Sequence, residues 1–229
     1  TESFLALKYG ISLSHDYLSI DGTTNTWTID ATYNAAIAGL AREDLNLLHQ
    51  RQSHSTTTSD NLIIATSAIT SFDQRTITTN ISTNNSYLIW AHNGNAASSG
   101  TRTYKIKSIK FDQQVTLQFT FSGLTSTPDL WIDDADDFVG KTTVAGSYVG
   151  DKLTYTDTFP KNTTRYFRVN MPQIGPGGVN DKLAVWLVPQ TGVKNSGGAY
   201  ATDGQEVYTW VDQTGTRTKN ALNNPLTGP

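Results

Sequence analysis

Cysteine is absent from this sequence of 229 residues, charged residues are scarce, and no long apolar run occurs. Without cysteine there are no disulfides, thiolate metal ligands or cysteine nucleophiles. Charged residues make up 16% of the chain and the net charge is −3, so we expect no attraction to nucleic acid. No apolar run approaches the ~18 residues of a transmembrane helix, so no membrane span is predicted.

Catalytic patterns are also scarce. The sequence has no Gly-x-Ser-x-Gly elbow for a serine nucleophile. Glutamate occurs only at Glu2, Glu43 and Glu206, which leaves little material for a paired-carboxylate glycosidase. The histidine pair His49 and His54 lies five residues apart, which fits no zinc spacing well, so hydrogen-bonded or surface roles are predicted for it. We therefore predict that the protein is not an enzyme.

Threonine, serine, asparagine and glycine are abundant, and they accompany many tyrosines and five tryptophans. This mixture suits exposed β-strands and tight turns. It is more typical of a secreted β protein than of a cytosolic α/β enzyme. The composition therefore predicts an extracellular protein.

Helical signals are confined to the first part of the chain. The segment "ESFLALKYGI" (2–11) has helical spacing, and Gly10 is a suitable residue to end the helix. The segment "NAAIAGLA" (34–41) fits a strand or a helix, and "REDLNLLHQR" (42–51) has a helical composition. The N-terminal helix is short for an isolated helix, so we expect it to pack on something else.

From residue 61 onward, short alternating runs such as "RTYKIKSIKF" and "QVTLQFTFSG" are separated by turn residues. This pattern predicts an all-β fold, an antiparallel β-sandwich with a short N-terminal helix and an additional C-terminal β segment. The predicted divisions are a helix and linker (1–20), a β-sandwich domain (21–171), a Pro/Gly hinge (172–178) and the C-terminal β segment (179–229).

The first 171 residues resemble a known arrangement of modules. "ESFLALKYGISLSHDYLSIDGT" is similar to the last helix and linker of a laminin-G-like (concanavalin-type) module in large secreted or surface proteins of bacteria. "YNAAIAGLAREDLNLLHQRQSHS", "SYLIWAHNG", "RTYKIKSI" and "DLWIDDADDF" resemble, in order, the β-sandwich module that follows it there. The resemblance implies a bacterial cell-surface location and a non-enzymatic structural or adhesive role.

The C-terminal segment resembles the first strands of a further laminin-G-like module. The match lies in "PGGVNDKLAVWLVPQTGV" and "YTWVDQTG". The run "KLAVWLV" (182–188) is apolar on both faces, which predicts a central strand with a neighbour on each side. We expect it either to fold back onto the sandwich or to complete the sheet of another copy or module.

The assembly hypothesis follows from these chain ends. Strand or terminal-segment exchange would join copies of the chain or neighbouring modules, and a head-to-tail contact that does not close would form a filament. The residues predicted to be buried in such a contact are Phe4, Leu5, Leu7, Leu183, Val185, Trp186, Leu187, Tyr208 and Trp210.

The stretch "DLWIDDADDF" is the candidate metal site. Hard cations such as Ca²⁺ bind where several carboxylate oxygens lie close together. The candidate ligands are Asp133, Asp134, Asp136 and Asp137. The alternative is a solvated acidic turn after a buried strand, with Phe138 returning to the core.

Glycan binding is the alternative function. Aromatic side chains stack on sugars, and the five candidates are Trp27, Trp90, Trp131, Trp186 and Trp210. Tryptophans within apolar strands are by default core residues. A carbohydrate-binding, lectin-like module is therefore the alternative to the structural role. An accessory domain of a secreted hydrolase is a third hypothesis. Apart from calcium, no cofactor is predicted.

Overall fold

The computed structural model describes residues 2–57, 60–97, 100–171, 193–202, 207–211 and 221–222. The chain divides into two compact units, Thr1–Met171 and Pro172–Pro229. Among the described residues, no helix is both long and apolar enough to cross a membrane.

The described residues of the first unit form one helix, α1 (Glu2–Tyr9), and fourteen short strands. The strands are β1 (Tyr17–Leu18), β2 (Asn25–Trp27), β3 (Ala35–Glu43), β4 (Leu48–Gln50), β5 (Gln52–His54), β6 (Leu62–Ala65), β7 (Ser86–His92), β8 (Tyr104–Ile109), β9 (Gln114–Thr120), β10 (Leu130–Asp133), β11 (Thr142–Val144), β12 (Ser147–Val149), β13 (Lys152–Thr158) and β14 (Thr164–Val169). Short 3-10 turns occur at Asp44–Asn46 and Gln74–Thr76.

Two antiparallel sheets form the predicted β-sandwich. The larger sheet has seven strands in the order β11-β10-β14-β8-β7-β3-β4, and the smaller has five in the order β12-β13-β9-β6-β5. Their inner faces share one apolar core, in which Trp90 and Phe167 of the larger sheet meet Leu117 and Tyr155 of the smaller. The alternation in β8, whose Tyr104, Ile106 and Ser108 are buried, aims every second side chain into this core.

The outer face of the larger sheet is partly covered by α1 and the β1-β2 hairpin. Leu7 of α1 and Trp27 of β2 pack with Ile37 of β3 and Ile89 of β7 in a second apolar cluster. Because β7 faces the core on one side and this cluster on the other, all seven of its residues are buried. The helix predicted at 2–11 is confirmed at 2–9, and it packs on its own chain.

The segment "REDLNLLHQR" was predicted to be helical, and that prediction is wrong. Residues 44–46 form a 3-10 turn, and β4 then pairs antiparallel with β3. Pairing satisfies backbone groups at the edge of the sheet and buries Leu48 at 3% exposure, which outweighs the helical propensity of the composition. The ambiguous run at 34–41 is a strand because both of its faces are covered.

The second unit contains a small antiparallel sheet, described here by itself. Its strands are β15 (Val193–Lys194), β16 (Thr209–Trp210) and β17 (Ala221–Leu222), with β16 in the middle. Asn195 shapes the turn after β15, because its side-chain oxygen accepts hydrogen bonds from the backbone N–H groups of Gly197 and Ala199. The Pro/Gly hinge predicted at 172–178 and the run at 182–188 lie outside the described residues.

Candidate functional site

The acidic turn after β10 holds the four aspartates that were predicted to bind calcium, and each contacts a different partner. The Asp133 Oδ1 atom accepts from the backbone N–H of Asp134 at 2.7 Å. The Asp136 Oδ2 atom accepts from the hydroxyl of Tyr33 at 3.0 Å, and the Asp137 Oδ1 atom accepts from the N–H of Val139 at 3.0 Å.

The fourth aspartate, Asp134, forms an ion pair with the Arg165 guanidinium at 2.9 Å, and its side chain is largely exposed. Within the part of the chain that the structure describes, no group of three or more acidic or histidine side chains is placed to hold a metal ion. Calcium binding at this turn stays a prediction, and the divergence of the carboxylates does not favour it. Asp134, Asp136 and Asp137 are exposed, as the alternative of a solvated acidic turn predicts, whereas Asp133 is buried and its Oδ2 atom has no hydrogen-bond partner among the described residues.

Beside the acidic turn lies a set of four side chains that we call the aromatic–cationic cluster: Trp131, Phe138, Lys141 and Arg168. The guanidinium carbon of Arg168 lies 4.8 Å from the Trp131 ring centroid and 4.5 Å from that of Phe138. The Lys141 ammonium lies 4.4 Å from the same Trp131 centroid. Two cations therefore contact a single indole.

Strand register places the cluster on the outer face of the larger sheet. Trp131 of β10 pairs directly with Arg168 of β14 on one side and with Thr143 of β11 on the other. Lys141 precedes Thr143 by two residues, so it lies on the same face of the sheet. Phe138 has φ +57° and is 2% exposed, yet it packs against Trp131 and Arg168 outside the core between the sheets.

Arg168 is a partly buried cation, and its burial affects its pKa. Partial burial lowers the pKa of the Arg168 guanidinium from its ordinary value, and no neighbouring charge contributes to that shift. None of the ion pairs found among the described residues involves Arg168 or Lys141. Contacts with aromatic rings stabilise a cation by about 0.5–2 kcal/mol, but they leave the in-plane N–H groups of a guanidinium without acceptors.

A second polar site, the buried ionic cluster, comprises Asp60, His92, Arg102 and Tyr104 at one end of the sandwich. The Asp60 side chain is 1% exposed; its Oδ1 atom accepts from the Tyr104 hydroxyl at 3.1 Å and lies 4.0 Å from Arg102 Nη1. Burial raises the pKa of Asp60 to about 6, and burial followed by the charge of Arg102 lowers the pKa of His92 to about 4. The Asp60 and His92 side chains are buried, whereas Arg102 and Tyr104 also line a small, partly open cavity with Asn61, Phe119 and Val169.

The other histidines have separate structural contacts. His15 lies 3.4 Å from the Glu2 carboxylate at the surface. The Nε2 atom of His49 accepts from the backbone N–H of Ile81 at 3.0 Å, and His54 contacts the ring of Phe72 edge-on.

Two of the predicted tryptophan candidates belong to the core. Trp27 and Trp90 are 1% and 0% exposed, so neither ring reaches a ligand. Trp131 is partly exposed on the outer face, and Trp210 is partly exposed in β16. Trp186 lies outside the described residues.

The predicted assembly residues have different outcomes. Leu7 is 2% exposed within its own chain and Phe4 packs against the same cluster, so α1 packs on the larger sheet of its own chain. Leu5, at 49% exposure, remains open to another molecule. Tyr208 is 43% exposed beside Trp210 in the second unit. Leu183, Val185, Trp186 and Leu187 lie outside the described residues.

Comparison with protein families finds a match over most of the chain. Residues 1–166 match the model of a family described as a domain of unknown function, DUF8202. The chain belongs to the DUF8202 family. The match extends from α1 into β14 and includes three members of the aromatic–cationic cluster, while Arg168 lies two residues beyond it. Searches of curated proteins and of solved structures find no match to this DUF8202 chain.

Sequence reasoning missed both the aromatic–cationic cluster and the buried ionic cluster. Trp131 and Lys141 are recognisable as strand and loop residues, but their link to Arg168 depends on the pairing of β10 with β14. Period-two alternation would have assigned Trp131 and Arg168 to outward positions in their strands. It does not say which strands are neighbours.

Proposed function

We propose that this DUF8202 chain is a non-enzymatic structural or adhesive module of a bacterial surface protein. In this proposal residues 1–171 are a preformed β-sandwich block. Residues 172–229 join that block to a neighbouring module or to another copy of the chain.

The exposure of apolar side chains among the described residues of the second unit carries the proposal. The first unit has a core of large buried side chains between two sheets and a second cluster under α1. In the second unit Tyr200, Val207 and Tyr208 are 72%, 40% and 43% exposed on or beside strands of only two residues. Exposed aromatic side chains on a marginal sheet are stabilised when another surface covers them.

The N-terminal helix has a different role from the one that the assembly hypothesis predicted. Because Leu7 packs into the chain's own outer-face cluster, α1 closes the block. Of the three N-terminal residues, only Leu5 remains exposed enough to reach another molecule. The proposal therefore assigns joining to the second unit. The threonine- and asparagine-rich composition supports an extracellular location.

Light scattering coupled to size-exclusion chromatography, with negative-stain imaging, tests the proposal. We expect the full chain to form dimers or longer assemblies in a concentration-dependent manner, and residues 1–171 to stay monomeric. The double variant Tyr200→Ser/Tyr208→Ser should reduce assembly. Leu45→Ser is the matched control, because Leu45 is 83% exposed on the first unit. A full chain that is monomeric at all concentrations, alone and mixed with its neighbouring module, contradicts the proposal.

A further inference from the structure

We propose that the aromatic–cationic cluster is a binding site for a carboxylate-bearing polysaccharide of low charge density. The site is formed by Trp131, Lys141 and Arg168 on the outer face of the larger sheet, backed by Phe138. It uses only residues of the first unit and does not depend on the joining role proposed for the second.

Charge complementarity selects an anionic ligand. Arg168 and Lys141 both contact the Trp131 ring, and no ion pair with a described carboxylate neutralises either of them. Two like charges near one ring repel each other, and the repulsion is relieved when an anion lies between or beside them. A guanidinium offers parallel N–H donors that match the two oxygens of a carboxylate.

Strand pairing and ring contacts position Trp131 and Arg168 before any ligand binds. Trp131 of β10 pairs directly with Arg168 of β14 and with Thr143 of β11, and these three strands are adjacent in the sheet. The rings of Trp131 and Phe138 hold the Arg168 guanidinium at 4.8 Å and 4.5 Å, so its position costs little further ordering. A prearranged cation loses less conformational entropy on binding than a flexible surface lysine does.

Aromatic surface beside the cations favours a sugar over a small anion. Part of the Trp131 side chain is exposed. Tyr166 lies on the same face of β14 as Arg168, two residues earlier in the strand. Its ring centroid lies 5.4 Å from that of Tyr33. Aromatic rings pack on the carbon faces of a saccharide, while neighbouring cations bind its carboxylates.

The acidic turn restricts the charge density of the ligand. Asp137 directly precedes Phe138, which contacts Arg168, and Asp134 and Asp136 are exposed nearby in the same turn. A densely sulfated polymer would place further anions against these carboxylates. Isolated carboxylates separated by neutral sugars avoid that repulsion, so we expect hyaluronan or partially methyl-esterified oligogalacturonides to bind better than heparin.

Isothermal titration of the full chain tests the site. The ligands are hyaluronan oligosaccharides, partially esterified oligogalacturonides, heparin oligosaccharides, neutral dextran oligosaccharides, a glutamate-rich peptide and sodium acetate. We expect one of the first two to bind, and Arg168→Gln and Lys141→Gln each to weaken it about tenfold, as loss of a charge-assisted contact does. Arg75→Gln, which removes an exposed arginine paired with Asp73, is the control and should bind normally.

Each other outcome overturns the proposal. Failure of both sparse-carboxylate ligands to bind excludes it, and equal affinity for acetate shows a site for small oxyanions only. Preference for the peptide identifies a protein partner instead. Heparin binding that Arg75→Gln and Lys141→Gln weaken equally shows diffuse surface electrostatics. Arg168 is partly buried, so circular dichroism must confirm that its variant is folded, whereas the exposed Lys141 gives an independent test.

Discussion

At the scale of single residues, buried ionisable groups distinguish this protein from a purely apolar sandwich. Asp60 and His92 both contact Tyr104, one through a hydrogen bond to its hydroxyl and one through the edge of its ring. The Oδ2 atom of Asp60 and the Nε2 atom of His92 are buried without hydrogen-bond partners among the described residues. Burial penalises the charged form of each group. The charged form is the deprotonated one for Asp60 and the protonated one for His92.

The two residues should therefore shift stability with pH in opposite directions. The folded-state pKa of Asp60 is raised to about 6, so its protonation adds stability as the pH falls from 7 to 4. The folded-state pKa of His92 is lowered to about 4 from an ordinary 6.5, so the unfolded state takes up a proton first and stability is lost over the same range.

Urea unfolding of Asp60→Asn and His92→Gln at pH 7 and pH 4 checks this. Relative to the unmodified protein, the unfolding free energy of Asp60→Asn should be higher at pH 7 than at pH 4 by roughly 2–3 kcal/mol. For His92→Gln the relative unfolding free energy should be higher at pH 4 than at pH 7 by a similar amount. Arg102 and Tyr104 are left unchanged in both variants. If both variants differ from the unmodified protein by the same amount at the two pH values, neither group titrates with folding.

At the scale of elements, the junction after α1 depends on a glycine. Gly10 has φ +63°, and the N–H of Ile11 returns to the carbonyl of Ala6 at 2.9 Å, which ends the helix. A Cβ atom at Gly10 would lie 2.2 Å from the carbonyl oxygen of His54. The helix therefore ends where the chain passes close to the backbone at the end of β5.

Gly10→Ala should destabilise the protein by roughly 2–4 kcal/mol, through left-handed backbone strain plus the clash with His54. Gly22→Ala is the matched control, since Gly22 has φ +71° but no atom within 4 Å of an added Cβ. The control should cost about 1 kcal/mol, the strain alone. Thermal unfolding of both variants measures the difference in stability. If both variants lose the same stability, the clash with His54 contributes no measurable free energy.

The packing of α1 on its own sheet gives a second prediction at this scale. Leu7 is 2% exposed and packs against Gly39, where an added Cβ would lie 2.8 Å from the leucine side chain. Leu7→Ala should therefore cost about 2–5 kcal/mol of unfolding free energy. Leu5→Ala, on the 49% exposed side of the same helix, should change it by less than about 0.5 kcal/mol. A small effect of Leu7→Ala in denaturant unfolding would mean that the helix does not stay docked.

At the scale of the whole molecule, the chain contains a complete sandwich and a separate C-terminal unit. Residues 1–171 form one compact unit with its own core and with a second apolar cluster on part of the outer face of the larger sheet. A unit of that size buries enough apolar surface to fold without disulfides. Assembly and glycan binding, as proposed, therefore use different units.

Residues 1–171 alone should unfold cooperatively, with a midpoint within about 2 °C of the corresponding transition in the full chain. Differential scanning calorimetry of the two proteins measures this, and tryptophan fluorescence follows the buried Trp27 and Trp90. A midpoint that falls by 10 °C or more after truncation would show that the C-terminal unit contributes to the stability of the sandwich.

Much of the architecture could be predicted from local patterns, because strand alternation and helix ends are short-range properties. The alternation around Tyr104 and Ile106 predicted an inward-facing strand, and Gly10 predicted the end of α1. The segment at 42–51 was misassigned because pairing with β3 overrode its helical composition. The covering of the outer face by α1 was also missed, since nothing local indicates which surface a short helix will contact.

The amino-acid sequence by itself determined the β class, the end of the helix and the position of the acidic turn, since each depends on residues within a few positions of one another. Only the tertiary structure decided that the four aspartates diverge, that Leu7 is buried in its own chain, and that Arg168 meets Trp131. Those outcomes depend on the order and register of strands far apart in the chain. Sheet order is set by the packing of the whole sandwich, so no local pattern specifies it.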